Sequence, residues 1–249
     1  MQGLKRSRAF VLRSVDQGES NRVISLFCED GGRISAIAKG AKRSNRRQLK
    51  TLQAFTLMSV TLRSGRNDLL TIEEVSPICL YRQVLSDLRR MDVAAYVLSL
   101  LRDTLPVAHP EPRLFADLVR FFELLDGEEN KSEEMLLVFM RHILAVLGHA
   151  PCFDQCGHCG RRPKLSQSVR FDPLLGSLVC SHCGHGKFKL NPRSRALLSS
   201  EWSLHTEDQS AWIHSQEELA VAQETLTAFA QAQLGRAMPA RFMQGELGV

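Results

Sequence analysis

Residues 8–39 read RAFVLRSVDQGESNRVISLFCEDGGRISAIAK, and the architecture of the N-terminal part of the chain follows from this stretch. Runs rich in β-branched and aromatic residues alternate with turns that contain glycine, as is typical of antiparallel strands. The pattern predicts three strands, at Arg8–Ser14, Arg22–Cys28 and Arg33–Lys39.

Two further runs extend the same pattern. Phe55–Arg63 and Leu69–Val75 have strand composition, and the loop 64–68 separates them. Five short strands in about 75 residues predict a small barrel of the OB-fold type, whose strand face and loops commonly hold single-stranded nucleic acid. The loop Gly40–Thr51, which is basic and has no apolar period, would connect the third strand to the fourth.

The apolar period changes from strand to helix near Val84. One stripe predicts a first helix, with Val84, Leu85, Leu88, Met91, Ala95, Leu98 and Leu101 on its buried face. A second helix carries Leu114, Leu118, Phe121, Phe122 and Leu125. Ser132 is predicted to be the N-cap of a third helix that ends at Gly148, and Ser215 with Glu218 forms a capping box before a last helix. The fold class is therefore α+β, with more than one domain.

Four cysteines occur as two C-x-x-C pairs, Cys156/Cys159 and Cys180/Cys183, with 20 residues between the pairs. This spacing is typical of two knuckles that bind one structural Zn²⁺ with four thiolates. Four thiolates leave no open coordination position, so the site predicts a structural ion rather than catalysis. Short strands are predicted between the knuckles, at Ser168–Asp172 and Leu178–Val179.

The other three cysteines are predicted to lie outside the metal site. Cys28 and Cys79 lie in apolar stretches and are interpreted as buried packing residues. Cys152 is not expected to bind the metal, because the two C-x-x-C pairs already supply four ligands. No apolar run has the length of a membrane span and the N-terminus has no signal-peptide pattern, so we expect a cytoplasmic protein whose thiols stay reduced.

Positive charge is concentrated at the N-terminal end of the chain. Residues 1–80 contain 14 Lys/Arg and 7 Asp/Glu, and no acid lies between Asp30 and Asp68. Because a segment with one sign of charge attracts a polyanion, a nucleic-acid contact is expected. The residues predicted to contact phosphates are Arg33, Lys39, Lys42, Arg43, Arg46, Arg47, Lys50 and Arg66.

No catalytic signature accompanies these features. The chain has no phosphate-binding loop of the GxxxxGK[ST] type, no HExxH and no GxSxG. The basic segment also contains little aromatic surface for base stacking, so binding is expected to act through phosphates with little readout of base sequence. From these residues alone, an RNA-binding or ribosome-associated OB protein with a zinc ribbon remains an alternative, and a nuclease that uses metal ions is a second one.

Several stretches resemble the bacterial recombination mediator family RecO. They are residues 11–14, 18–22, 26–27 and 32–41, then Leu52-Gln53-Ala54-Phe55, Gly148-His149-Ala150-Pro151 with Cys156, Cys159 and Gly160, and Leu234-Gly235-Arg236. The resemblance covers essentially the whole chain and is most specific at residues 10–41 and at the cysteines.

The resemblance implies an OB-fold barrel (1–80), a helical domain in two parts (81–150 and 191–249) and an inserted zinc-binding segment (151–190). It also implies a non-enzymatic protein that binds single- and double-stranded DNA, anneals complementary strands and works with RecR. Such a protein helps RecA replace SSB on gapped DNA and contacts the C-terminal tail of SSB, and RecF is a further candidate partner.

Overall fold

The five predicted strands form a closed barrel in a computed structural model of the chain. The structure describes residues 4–41, 52–64, 70–127, 131–199, 215–235 and 237–238. The barrel strands are β1 (Leu4–Gln17), β2 (Asn21–Cys28), β3 (Gly32–Ala38), β4 (Thr56–Ser64) and β5 (Leu70–Leu80), in the order β1-β2-β3-β5-β4. This OB-like barrel is the predicted one, although β1 starts earlier and β5 ends later than their sequence patterns indicate.

Alternate residues of each strand fill the barrel. Every neighbouring pair of strands is antiparallel except β3 and β5, which pair in parallel through Ala36 and Ile37. The interior is apolar, as expected for strands with one face turned to a core. Among the residues that fill it are Ala9, Val11, Ile24, Leu26, Ala36, Met58, Val60 and Ile72.

Three helices follow the barrel, and they are α1 (Arg82–Ser86), α2 (Leu88–Thr104) and α3 (Pro112–Leu125). Both α2 and α3 contact the outside of the barrel. Phe10 lies between two barrel-core residues and therefore points outward, where its ring is 4.9 Å from the ring of Phe122 in α3. Phe27 contacts Phe115 of the same helix, with 5.4 Å between ring centroids. All five residues predicted to line the second helix are buried.

The predicted first helix is wrong in one respect, because the chain breaks at Asp87. Its backbone is extended, and its side chain accepts hydrogen bonds from the N–H groups of Arg89 and Arg90, which caps the start of α2. Since the helix restarts there, the apolar stripe before the break does not continue into α2. Leu85 and Leu88, predicted to be core residues, are 42% and 73% exposed.

The β2–β3 turn is held close to the segment that follows α2. Gly32 has φ +66, and a Cβ at this position would lie 2.0 Å from the backbone oxygen of His109. The next residue, Arg33, accepts a hydrogen bond at its carbonyl from the Ala108 N–H at 2.8 Å. Only glycine combines this conformation with so close an approach.

The second compact unit of the chain begins at residue 131. Its elements are α4 (Ser132–Val146), β6 (Cys152–Cys156), β7 (Val169–Asp172), β8 (Ser177–Val179), β9 (Phe188–Leu190), α5 (Pro192–Ser199) and α6 (Gln216–Leu234). The four short strands form one sheet in the order β6-β8-β7-β9. The predicted strands at 168–172 and 178–179 are confirmed, whereas β6 and β9 were not predicted.

The helix ends of this unit follow the sequence signals with one exception. Ser215 and Glu218 form the predicted capping box, and Gly235, with φ +63, ends α6. Ser132 is not an N-cap, because the helix starts one residue earlier. Lys131 is the capping residue, and Ser132 is buried at the first helical position, where its own backbone is helical. No helix in the described part of the chain is long and apolar enough to cross a bilayer.

Candidate functional site

The four predicted metal ligands meet at one point of the second unit. The sulfurs of Cys156, Cys159, Cys180 and Cys183 all lie within 4.8 Å of one another. The Cys159 and Cys180 sulfurs are 3.7 Å apart. A tetrahedral ion with Zn–S bonds of about 2.3 Å requires sulfur–sulfur edges of about 3.8 Å. The cysteines are therefore positioned to bind a metal ion, and their geometry is compatible with a structural zinc.

Backbone hydrogen bonds shape both knuckles. At the end of β6, the Gly160 N–H donates to the Cys156 carbonyl at 2.9 Å, and Gly160 adopts φ +69, which favours glycine. In the second knuckle, the N–H groups of Cys183 and Gly184 donate to the Cys180 carbonyl at 3.0 and 3.2 Å. Each turn brings its two sulfurs to the same side of the backbone.

The knuckles also lower the pKa of two thiols, Cys156 and Cys180. The Cys180 N–H donates to the Cys156 sulfur at 3.4 Å and, with further N–H donors of the first knuckle, lowers the pKa of Cys156 to about 6. The neighbouring Cys180 sulfur has the opposite effect on Cys183 and raises its pKa to about 12, because the two groups share a hydrogen bond. Full ionisation of all four thiols would place four like charges side by side, so a dication is the species that would stabilise the cluster.

Cys152 and the nearby histidines are not part of the four-sulfur group. The backbone N–H of Cys152 donates to the Gly176 carbonyl at the other end of β6. His182 lies at an x position of its knuckle, where its Nδ1 is 3.0 Å from the Arg161 guanidinium. Of the cysteines predicted to pack in the core, Cys28 is buried, but Cys79 is exposed near the end of β5, so that prediction was wrong.

The sheet that carries the cysteines is anchored by a buried arginine that sequence reasoning missed. Arg195 of α5 is 2% exposed, and its Nε donates to the Phe153 carbonyl at 3.0 Å. Its Nη1 donates to the carbonyls of Pro163 and Lys164 at 3.3 and 2.9 Å. One side chain thus joins α5 to β6 and to the loop that follows the first knuckle. An Arg in a short helix gives no sequence signal of this role.

We expect Arg195→Ala to destabilise the second unit by about 3 kcal/mol, because the buried Phe153 carbonyl and two partly buried carbonyls lose their charged donor. Arg193→Ala is the matched control, since that side chain is 81% exposed and 3.7 Å from Glu218, and its removal should cost less than about 1 kcal/mol. Hydrogen exchange of the β6 amides measures both. Equal protection in the two variants would contradict the anchoring role of Arg195.

The structure describes two of the eight residues predicted to contact phosphates. Arg33 lies in β3, and its Nε donates to the Leu105 carbonyl at 2.8 Å, so part of its guanidinium serves to hold the chain after α2. Lys39 directly follows β3 and is exposed. The other six lie outside the described residues: Lys42, Arg43, Arg46, Arg47, Lys50 and Arg66. The phosphate role of all eight stays a prediction.

Arg13 is a further exposed cation on the barrel, and a bulge explains why the sequence pattern did not reveal it. Simple alternation from Val11, which points into the barrel, would turn Arg13 inward as well. The β1–β2 register shifts between Val11 and Arg13, so Arg13 pairs with Ser25 on the outer face. Arg13 forms no ion pair with a described residue, whereas Arg22 pairs with Asp16 and Arg63 with Glu73.

Comparison with known proteins agrees with this architecture. The family model described as "Recombination protein O N terminal" matches residues 1–81, and "Recombination protein O C terminal" matches residues 85–242. The chain belongs to the RecO family. The first match is the barrel with its five strands, and the second contains all four clustered cysteines.

Individual RecO proteins are similar to the chain over most of its length. "DNA repair protein RecO" of Anaeromyxobacter sp. (strain K) is 34% identical over 244 residues, which is 96% of this chain and 94% of the relative. The proteins of the same name from Geobacter metallireducens and Alkaliphilus metalliredigens are 34% and 32% identical and cover 78% and 74% of the chain, or 78% and 73% of their own lengths. Membership of this family supports a role in DNA repair and recombination.

Proposed function

We propose that the chain is a non-enzymatic recombination mediator that holds DNA by its phosphates on the OB-like barrel. The single observation that carries the proposal is the outer face of β1–β3. Arg13 and Lys39 are exposed on this face, and the chain continues from Lys39 into the acid-free basic segment. The proposed phosphate contacts are Arg13 with Arg33, Lys39, Lys42, Arg43, Arg46, Arg47, Lys50 and Arg66. The proposed setting is the bacterial cytoplasm, at the nucleoid.

The composition of this face favours annealing. Around the two cations, the outward positions of β1–β3 carry small or aliphatic residues, namely Val15, Val23, Ser25, Ser35 and Ile37, and no Trp or Tyr lies in residues 4–41. Base stacking on aromatic rings is therefore a minor contribution, and the bases of a bound strand remain available for pairing. A protein of this kind binds single- and double-stranded DNA and brings complementary strands together without reading their sequence.

We further propose that the cysteine cluster binds one structural Zn²⁺. The ion would hold both knuckles and close the segment 151–190 onto its sheet, and four thiolate ligands exclude a coordinated water or substrate. The proposed protein partners follow from the family. They are RecR, the C-terminal tail of SSB and, indirectly, RecA, with RecF as a further candidate.

The variant R13Q/K39Q tests the barrel face with residues that the structure describes. If both cations contact phosphates on a single strand, log K against log salt should become less steep by about 1.4, which weakens binding about 25-fold at 0.1 M salt. The control variant is R113Q/R120Q, which removes two positive charges from α3. Both variants lower the net charge from +5 to +3. Fluorescence anisotropy of a labelled oligonucleotide at several salt concentrations measures the slope, and equal slopes for the two variants would refute the assignment.

A further inference from the structure

A second concentration of positive charge lies in the segment that contains the four cysteines. We call this segment, residues 151–199, the ribbon. The ribbon contains eight Lys/Arg but only two Asp/Glu, although residues 81–249 as a whole are slightly acidic. Arg195 is buried as described above. The other seven cations are exposed: Arg161, Arg162, Lys164, Arg170, Lys187, Lys189 and Arg193.

The ribbon sheet separates these charges from its core. Val169, Phe171 and Leu190 point to the inner face, where the Phe171 ring is 4.7 Å from that of Phe153. Arg170 and Lys189 alternate with them and point outward, and the β7–β9 register places the two directly opposite each other. Like charges at directly opposite positions destabilise a sheet. Lys187 precedes Lys189 by two residues and is exposed as well, with its Nζ 5.4 Å from the Phe188 ring.

Acidic side chains do not neutralise this face. Among the described residues, no carboxylate forms an ion pair with Arg170, Lys187 or Lys189, and the same holds for Arg161, Arg162 and Lys164. One of the two ribbon acids, Asp172, uses its Oδ1 to accept hydrogen bonds from the N–H groups of Leu174 and Leu175. On the barrel, by contrast, Arg8, Arg22 and Arg63 each have a carboxylate partner.

We propose that the outer face of the ribbon sheet is a second nucleic-acid surface, separate from the barrel. The Cβ atoms of directly opposite residues are about 5 Å apart, so Arg170 and Lys189 extend from neighbouring points of the sheet and suit a backbone with one phosphate per nucleotide. The family's role in DNA repair makes DNA the polyanion that this surface meets. Binding here is electrostatic and independent of base sequence. A protein with two such surfaces holds more backbone than one barrel can.

The test uses the full chain and the variant K187Q/K189Q, which leaves the Arg170 hydrogen bond to the Gly186 carbonyl intact. If both lysines contact phosphates, the salt slope on a labelled single strand falls in magnitude by about 1.4, and affinity falls about 25-fold at 0.1 M salt. R113Q/R120Q, with the same loss of net charge, should bind like wild type. Unchanged metal content and melting temperature confirm that the variant is folded.

Two results would overturn this inference. The first is a K187Q/K189Q slope equal to that of wild type. The second is a variant that binds DNA normally but no longer binds polyaspartate, which would make the surface a site for an acidic protein segment. Failure of the proposed function looks different, because wild type itself would then show no salt-dependent DNA binding. If the two surfaces act independently, the slope of log K against log salt for a combined R13Q/K39Q/K187Q/K189Q variant should be smaller in magnitude than that of wild type by about 2.8.

Discussion

Cys156→Ser is expected to release the metal and unfold the ribbon, and it is the most damaging single substitution that the structure identifies. Cys156 ends β6, is buried, and its sulfur accepts the Cys180 N–H that joins the two knuckles. A structural zinc contributes about 10–16 kcal/mol to the folding of small domains that depend on it. We expect about one zinc per chain in wild type after dialysis against metal-free buffer, and close to none in the variant.

Cys152→Ser is the matched control, because it makes the same chemical change at the other end of the same strand. Cys152 is not in the four-sulfur group, and the interaction that holds it there is a backbone hydrogen bond that serine preserves. Zinc content by mass spectrometry under native conditions and proteolysis of the ribbon report the two consequences separately. Retention of zinc in Cys156→Ser, or its loss in Cys152→Ser, would contradict the assigned ligand set.

Simultaneous replacement of Lys42, Arg43, Arg46 and Arg47 with Ala is expected to remove most of the electrostatic affinity for DNA. If about five cations of the barrel contact a single strand, the wild-type slope of log K against log salt is about −3.5. Loss of four contacts reduces it to about −0.7 and weakens binding by nearly three orders of magnitude at 0.1 M salt. A ribbon that binds DNA independently would keep the residual slope steeper than this.

The same four-residue variant tests the mediator function on SSB-coated DNA. Strand annealing should fall with the affinity, whereas Cys152→Ser and R113Q/R120Q should anneal like wild type. Annealing that survives the loss of salt-dependent binding would exclude the phosphate mechanism. Competition with RNA and incubation of a labelled strand with Mg²⁺ or Mn²⁺ examine the two alternatives, and preference for RNA or cleavage of the strand would replace the proposed function.

Local sequence patterns predicted much of the fold because their causes are local. A strand with one face on a core must alternate, so the five barrel strands were visible in the apolar pattern. Two C-x-x-C turns must each bring two sulfurs together, so the spacing predicted that these four cysteines cluster. The capping box at Ser215 acts within four residues, and it formed as predicted.

One prediction was wrong because a local cap was missed, and others were absent because they depend on interactions between residues far apart in the chain. Leu88 is exposed because the Asp87 cap ends one helical register and starts another. Arg13 faces outward because a bulge shifts β1 against β2, and a bulge depends on both strands. Arg195 is buried because three carbonyls from residues 31 to 42 positions away along the chain surround its guanidinium.

The sequence by itself determined which residues form the barrel strands, which four cysteines lie together and where positive charge is concentrated along the chain. Each of these depends on residue type and short spacing. The tertiary structure alone decided which charges share a surface. Arg22 and Arg63 lie against acids, whereas Arg170 and Lys189 stand opposite each other with no described carboxylate as a partner. The physical reason is that an ion pair or a like-charge contact forms across strands, and strand register is set only when the whole sheet assembles.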